Sequence, residues 1–86
     1  MSSAAASSAR AAPGSAEERA ARKAVSRIER QLKRVLTRES ELNAAIIAAG
    51  QDYEKLAAAS AELTTVLAER DGLESEWLEA SEVLES

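Results

Sequence analysis

Apolar residues recur at alternating spacings of three and four along most of this chain, which is the heptad pattern of helices that pack along a common seam. In the first half the seam runs through residues 21–49, and Glu39 is the charged residue that interrupts it. At the a and d positions of the heptad stand Ala21, Val25, Ile28, Leu32, Val35, Leu42, Ile46 and Ala49. This spacing predicts one long amphipathic helix.

The ends of this helix are marked by residues with known capping roles. Ser15 followed three residues later by Glu18 is a capping-box pattern, so the helix should begin at about residue 16. Gly50 suits the left-handed conformation that ends many helices. The first helix is therefore predicted over residues 16–49.

A second seam follows Asp52, which is a good N-cap residue. Its members are Leu56, Ala59, Leu63, Val66, Arg70, Leu73, Trp77, Ala80 and Leu84. The three-four spacing continues across Asp71 and Gly72, so we predict a single helix over residues 52–85 with local softness at the glycine.

The two or three residues between the helices leave no room for a parallel return, so the helices must be antiparallel. This register places Val35 opposite Val66 and Arg38 opposite Glu62, an apolar and an ionic match. The predicted fold is all-α: an antiparallel two-helix coiled-coil hairpin over residues 16–86.

Residues 1–15 are rich in Ala and Ser, contain Pro13 and Gly14, and lack large apolar side chains. Such a segment buries too little surface to offset the entropy lost on ordering. We therefore predict that residues 1–15 form a disordered N-terminal tail or linker.

Three residues of the hairpin carry more specific expectations. Trp77 should belong to the core, because it occupies a seam position. Tyr53, at the tip, should pack back on the first turn. Arg70 is expected between Glu29 and Glu74, two carboxylates that the register brings face to face.

The charge of the chain is distributed unevenly. Residues 1–38 contain nine Lys/Arg and three Glu, whereas residues 39–86 contain two Lys/Arg and twelve Asp/Glu, for a net charge of −4. Asymmetry of this kind indicates a segment that faces nucleic acid or a membrane, or else a basic helix that pairs with an acidic one.

The chemistry of most enzymes is absent from the sequence. The chain has no His and no Cys, and it has no phosphate-binding glycine loop of either common type. We expect no catalytic residues, no metal site and no cofactor in this chain. No apolar run approaches the roughly 20 residues that span a bilayer, and no leucine-rich leader is present, so we expect a cytoplasmic protein without membrane contact.

A basic stripe on the first helix is the candidate binding site. Lys23, Arg27, Arg30 and Arg34 are spaced i, i+4, i+7 and i+11, so they share the face that points away from the seam. Cations that no acidic neighbour neutralises suit the phosphate backbone of DNA or RNA, whereas the absence of interleaved aromatics excludes base stacking. The wider stripe comprises Arg19, Lys23, Arg27, Arg30, Lys33 and Arg34. The alternative is an ordinary solvated helix surface.

Three segments carry a family resemblance: the entry EERAARKAVSRIERQLKRV, the turn L..AI..AGQDYEKL and the closing LESEWLEASEVLE. From about Arg19 to Glu85 the chain resembles the C-terminal coiled-coil domain of ABC-F ATP-binding cassette proteins, especially the Uup-like branch. The resemblance implies a parent protein with two cassettes that bind ATP and magnesium, that acts on ribosomes or nucleic-acid structures in the cytoplasm, and whose C-terminal domain binds DNA through the basic stripe.

The sequence thus predicts a monomeric domain that binds nucleic acid, DNA in particular, without reading its sequence. Two alternatives remain open. One is a coiled coil that docks on ribosomal RNA, on another protein or on the parent's own cassettes. The other is a purely structural hairpin that mediates oligomerisation.

Overall fold

A computed structural model describes residues 14–85 of the chain. It contains two helices, α1 (Ala16–Ala49) and α2 (Tyr53–Glu85), which fold back on each other as a hairpin. The predicted all-α hairpin is therefore confirmed, with the first helix at its predicted bounds and the second beginning one residue later. The predicted disordered tail lies outside the described residues, except for Gly14 and Ser15.

The start of α1 is capped by the residues that the sequence indicates. The Ser15 hydroxyl accepts a hydrogen bond from the backbone N–H of Glu18 at 3.1 Å. The Glu18 carboxylate accepts from the N–H of Gly14 at 2.7 Å, one residue earlier than in the usual capping box. Arg22 also donates to Glu18, at 2.8 Å, so a carboxylate near the positive end of the helix is held from two sides.

The connection between the helices is a tight turn. Gly50 has the expected positive φ of 56°, but its ψ of −114° differs from the left-handed helical conformation that was predicted. The N–H of Asp52 donates to the carbonyl of Ala49 at 2.9 Å. The Asp52 carboxylate accepts from the N–H of Lys55 at 3.2 Å, which confirms its role as the N-cap of α2.

The seam is buried on one side and half-open on the other. The d positions of α1 are all buried, and they are Ala21, Ile28, Val35, Leu42 and Ala49. In α2 the buried residues are Val66 and Leu73, which join Ile28, Val35 and Leu42 in one core cluster. The a positions of both helices are only half-buried. Two helices alone therefore cover one row of the seam and leave the other partly in water.

The charged seam residues pair with each other. Arg70 donates to Glu39 at 2.8 Å, with side-chain exposures of 30% and 21%. The expectation that Arg70 lies between Glu29 and Glu74 is wrong, because its guanidinium reaches Glu39 instead. Glu29 accepts a hydrogen bond from the indole N–H of Trp77 at 3.2 Å.

The two aromatic residues behave differently. Trp77 packs against the core cluster, as its seam position predicts. Tyr53 is 80% exposed, so the expectation that it packs back on the first turn is wrong. Within residues 14–85, neither helix combines the length and apolar character that a membrane-spanning segment needs.

Candidate nucleic-acid interface

The predicted basic stripe lies on the N-terminal half of α1, with every member exposed. From Lys23 to Arg34 it extends about 16 Å at about 1.5 Å per residue. That length matches about five phosphates along one strand of B-DNA, at an axial rise of about 3.4 Å each. The helix places the stripe opposite its buried side, so a ligand can approach it without disturbing the core.

Arg27 is not the unneutralised cation that the sequence suggested. It donates across the seam to Glu76 at 2.9 Å and along its own helix to Gln31 at 2.7 Å. The prediction that no acid neutralises the stripe is therefore wrong at this position. The antiparallel register brings residues 27 and 76 to nearly the same level, so the pair could have been found from the sequence.

Arg19 is also engaged, since its guanidinium donates to the carbonyl of Gly14 at the start of α1. That contact keeps the positive charge of Arg19 but anchors its side chain over the helix end. Arg19 and Arg27 therefore take part in holding the hairpin together, and they are less available to a ligand than their exposure suggests.

The other four cations of the stripe have no such role. Among residues 14–85, none of them makes an ion pair, and they are Lys23, Arg30, Lys33 and Arg34. A shallow depression of about 410 Å³ lies between Lys23, Arg27 and Arg30, above the small side chains of Ala20 and Ala24. The depression is open to solvent, and the long basic side chains on its rim can donate hydrogen bonds to a phosphate group.

Arg38 lies outside the basic stripe, and its guanidinium is engaged in ion pairs within the hairpin. Its guanidinium donates two hydrogen bonds of 2.7 Å to the Glu62 carboxylate, which confirms the pair predicted from the register, and a third of 3.1 Å to Glu41. These bonds raise the pKa of Arg38, and the bonds from Arg38 lower the pKa of Glu62. Both groups stay charged, and the pair closes one edge of the hairpin.

The two helices carry opposite charge. Within its bounds α1 has eight Lys/Arg and five Glu, whereas α2 has two Lys/Arg and nine Asp/Glu. An anionic ligand is attracted to the outer face of α1 and repelled by α2. Electrostatics therefore favours the basic stripe over α2 as the place at which an anionic ligand would bind.

Among the described residues no group of three or more Asp and Glu side chains is arranged to hold a metal ion. Comparisons with protein-family models, with curated proteins and with solved structures find no match to this chain.

Proposed function

We propose that this chain is a nucleic-acid-binding coiled-coil module that holds the phosphate backbone, of DNA in particular, against the outer face of α1. The observation that supports this most is the row of four exposed cations without an ion pair, on the helix whose partner is strongly acidic. Structural ion pairs occupy other arginines of α1, and these four are left over.

Binding of this kind reads charge and spacing but not bases. Lys23, Arg30, Lys33 and Arg34 would each contact a phosphate oxygen, and condensed counterions would leave the nucleic acid as they do so. The exposed aromatic residue, Tyr53, lies at the tip and the stripe at the base, so stacking on bases plays no part in the same contact.

The wider context of the proposal comes from the family resemblance. Under this proposal the chain is the C-terminal domain of a cytoplasmic ABC-F type ATPase of the Uup-like branch. The parent's two cassettes would bind ATP and magnesium, and this domain would supply nucleic-acid affinity and no catalysis. Ribosomal RNA is the rival ligand in the same context, because it presents the same phosphates.

A second candidate function is supported by a separate observation. The half-exposed row of apolar seam residues suits a structural hairpin that associates with another helical element. A chain with this role alone would leave the basic stripe in solvent and bind no nucleic acid.

Fluorescence-anisotropy titration with labelled duplex DNA tests the proposal. The native chain is compared with a variant in which Lys23, Arg30, Lys33 and Arg34 are replaced by Gln, which preserves every ion pair of the hairpin. We expect binding at low salt that weakens steeply as salt rises and is lost in the variant. Circular dichroism confirms that the variant is folded.

Two results would count against the proposal. If the native chain does not bind duplex DNA at low salt, the DNA-binding proposal is wrong and the structural hairpin remains as the candidate function. Binding that unlabelled structured RNA displaces far more effectively than unlabelled duplex DNA would transfer the function to RNA docking.

A further inference from the structure

The two long edges of the hairpin differ in character. On one edge the inter-helix ion pairs Arg27–Glu76 and Arg38–Glu62 close over the buried d row. The opposite edge carries the half-buried a row and, next to it on each helix, the e and b positions. We call the second edge the open face.

The open face collects the exposed apolar side chains of the described residues. Leu36, Ile47, Tyr53 and Leu78 are 51%, 82%, 80% and 57% exposed, and all four occupy e or b positions. Beside them is the half-buried a row. Its charged members are Glu18 and the ion pair Glu39–Arg70, and its apolar members are Val25, Leu32, Ile46, Leu56, Leu63, Trp77 and Leu84. Isolated exposed apolar residues are normal, but apolar residues gathered along one side, here divided by the Glu39–Arg70 pair, indicate an interaction surface.

We propose that the open face binds the open face of a second copy of this chain, giving a four-helix bundle in which both hairpin tips lie at the same end and α1 of each copy packs against α2 of the other. This proposal departs from the monomer expected from the sequence. Its argument does not rest on the nucleic-acid interface, which uses the outer face of α1 and shares only Lys33 with the border of the open face.

Charge at the borders of the open face selects a second copy and its orientation. The α1 border has three cations, Arg19, Arg22 and Lys33, of which Arg22 is already paired with Glu18, against the single acid Glu29. The α2 border has three acids and no cation, and the acids are Asp71, Glu74 and Glu85. A two-fold axis along the hairpin brings each α1 border to the α2 border of the other copy, so Lys33 comes nearly level with Asp71 and Arg19 with Glu85. Glu29 comes level with Glu74, so one like-charged contact stands beside these two opposite-charged contacts.

The reversed, head-to-tail arrangement lacks this match. It would place α1 against α1 and α2 against α2, so that the acidic border of one copy would face the acidic border of the other. Like charges across an interface oppose association, and this disfavours the reversed dimer.

Apolar residues on the open face also meet at matching levels when the tips lie together. Leu36 of one copy comes level with Leu67 of the other, because the hairpin register already places these two residues nearly opposite. Near the tip, Ile47 comes level with Tyr53 in the same way. The face is about 50 Å long and about 20 Å wide, or about 1,000 Å², which exceeds the roughly 800 Å² per partner of a stable interface.

The mass of the native chain in solution is the first test, measured by sedimentation equilibrium from micromolar to millimolar concentration. We expect two chains per particle. Ile47→Lys and Leu78→Glu should return the particle to one chain, because each places a charge in the apolar part of the face. The matched controls Ala44→Lys and Ser75→Glu add the same charges at exposed f positions and should leave the dimer intact.

A single chain per particle across this range would overturn the proposal. So would a dimer that Ile47→Lys and Leu78→Glu leave unchanged, because association would then use another surface. Circular dichroism shows whether each variant keeps its helices. Gln51→Cys, described next, places a label at the tip and leaves every residue of the open face unchanged.

Orientation is tested with a spin label at the tip. The chain has no cysteine, so Gln51→Cys provides one label per copy at an exposed position. Pulsed electron resonance should give a distance of about 20 Å, because the two tips are separated by about 10 Å and the two label side chains project outward and add to that separation. A distance of about 50 Å, the length of a helix, would indicate the head-to-tail dimer and refute the orientation that the charges select.

Discussion

The salt dependence of DNA binding is the property in which the paired and unpaired cations of α1 differ most. Each phosphate neutralised by a cation contributes about −0.9 to the slope of log K against log salt concentration. If all six residues of the predicted stripe bound phosphate, the slope would be about −5.4. With Arg27 held by Glu76 and Arg19 held by the carbonyl of Gly14, four cations remain on a single, unassociated chain, and its slope falls to about −3.6.

The two slopes separate clearly in an accessible range. Between about 50 mM and about 200 mM salt, a slope of −3.6 lowers affinity about 150-fold, whereas a slope of −5.4 lowers it about 1,800-fold. Replacing Arg30 and Arg34 by Gln should halve the slope to about −1.8, which reduces the loss to about 12-fold. The reason is that, for each cation removed from the protein, one fewer counterion leaves the DNA on binding.

The matched control removes two cations that already have acidic partners. Arg22 contacts Glu18 at 2.8 Å and Lys55 contacts Asp52 at 3.9 Å, so Arg22→Gln with Lys55→Gln changes the net charge by the same amount. Anisotropy titrations at four or more salt concentrations give each slope. Equal slopes for the two double variants would refute the reasoning, because net charge alone would then determine binding.

Three further predictions concern the hairpin itself. Gly72→Ala should stabilise the fold by about 1 kcal/mol in thermal unfolding, because the glycine lies inside α2 and a Cβ would meet nothing within 4 Å; a lower melting temperature would contradict this. Since the folded-state pKa of Glu62 is lowered by Arg38, the pair should contribute stability above the ordinary carboxyl pKa and lose it as the pH falls through the lowered value; in Arg38→Gln that part of the acid-induced loss should disappear. Replacing both Glu39 and Arg70 by Leu should keep or raise the melting temperature but broaden the distribution of particle masses, because a polar seam pair costs stability and restricts register. Arg70→Leu alone should lower the melting temperature, since Glu39 would lose its partner.

Much of the fold follows from the heptad pattern. The alternation of three and four residues gives the helices, and the short connection at Gly50 gives their antiparallel order. The same register also contains the Arg38–Glu62 contact, because long charged side chains at one level on facing helices reach each other. These are local or nearly local rules, and they hold without knowledge of the rest of the structure.

What the pattern does not reveal is which half of the seam is buried. The heptad pattern alone treats the a and d positions alike, yet here the d row of α1 is buried, together with Val66 and Leu73 of α2, and the a row is half-buried. Two helices bury only the residues that lie directly between them, which here are mainly the d row. The a row would be fully buried only if a further helix packed on it. Tyr53, which is 80% exposed, lies at an e position beside this half-buried row.

Lys33 is the residue at which the two proposed surfaces meet. It belongs to the four unpaired cations, and at a b position it also borders the open face, where Asp71 of a second copy would lie close in level. In the dimer the two copies of α1 are diagonally opposite, so one duplex meets one stripe. If Lys33 pairs with Asp71 there, three free cations remain and the salt slope becomes about −2.7. The salt slope of the dimer and that of a monomeric Ile47→Lys variant should therefore differ by about 0.9, so that binding and association are linked through a single side chain.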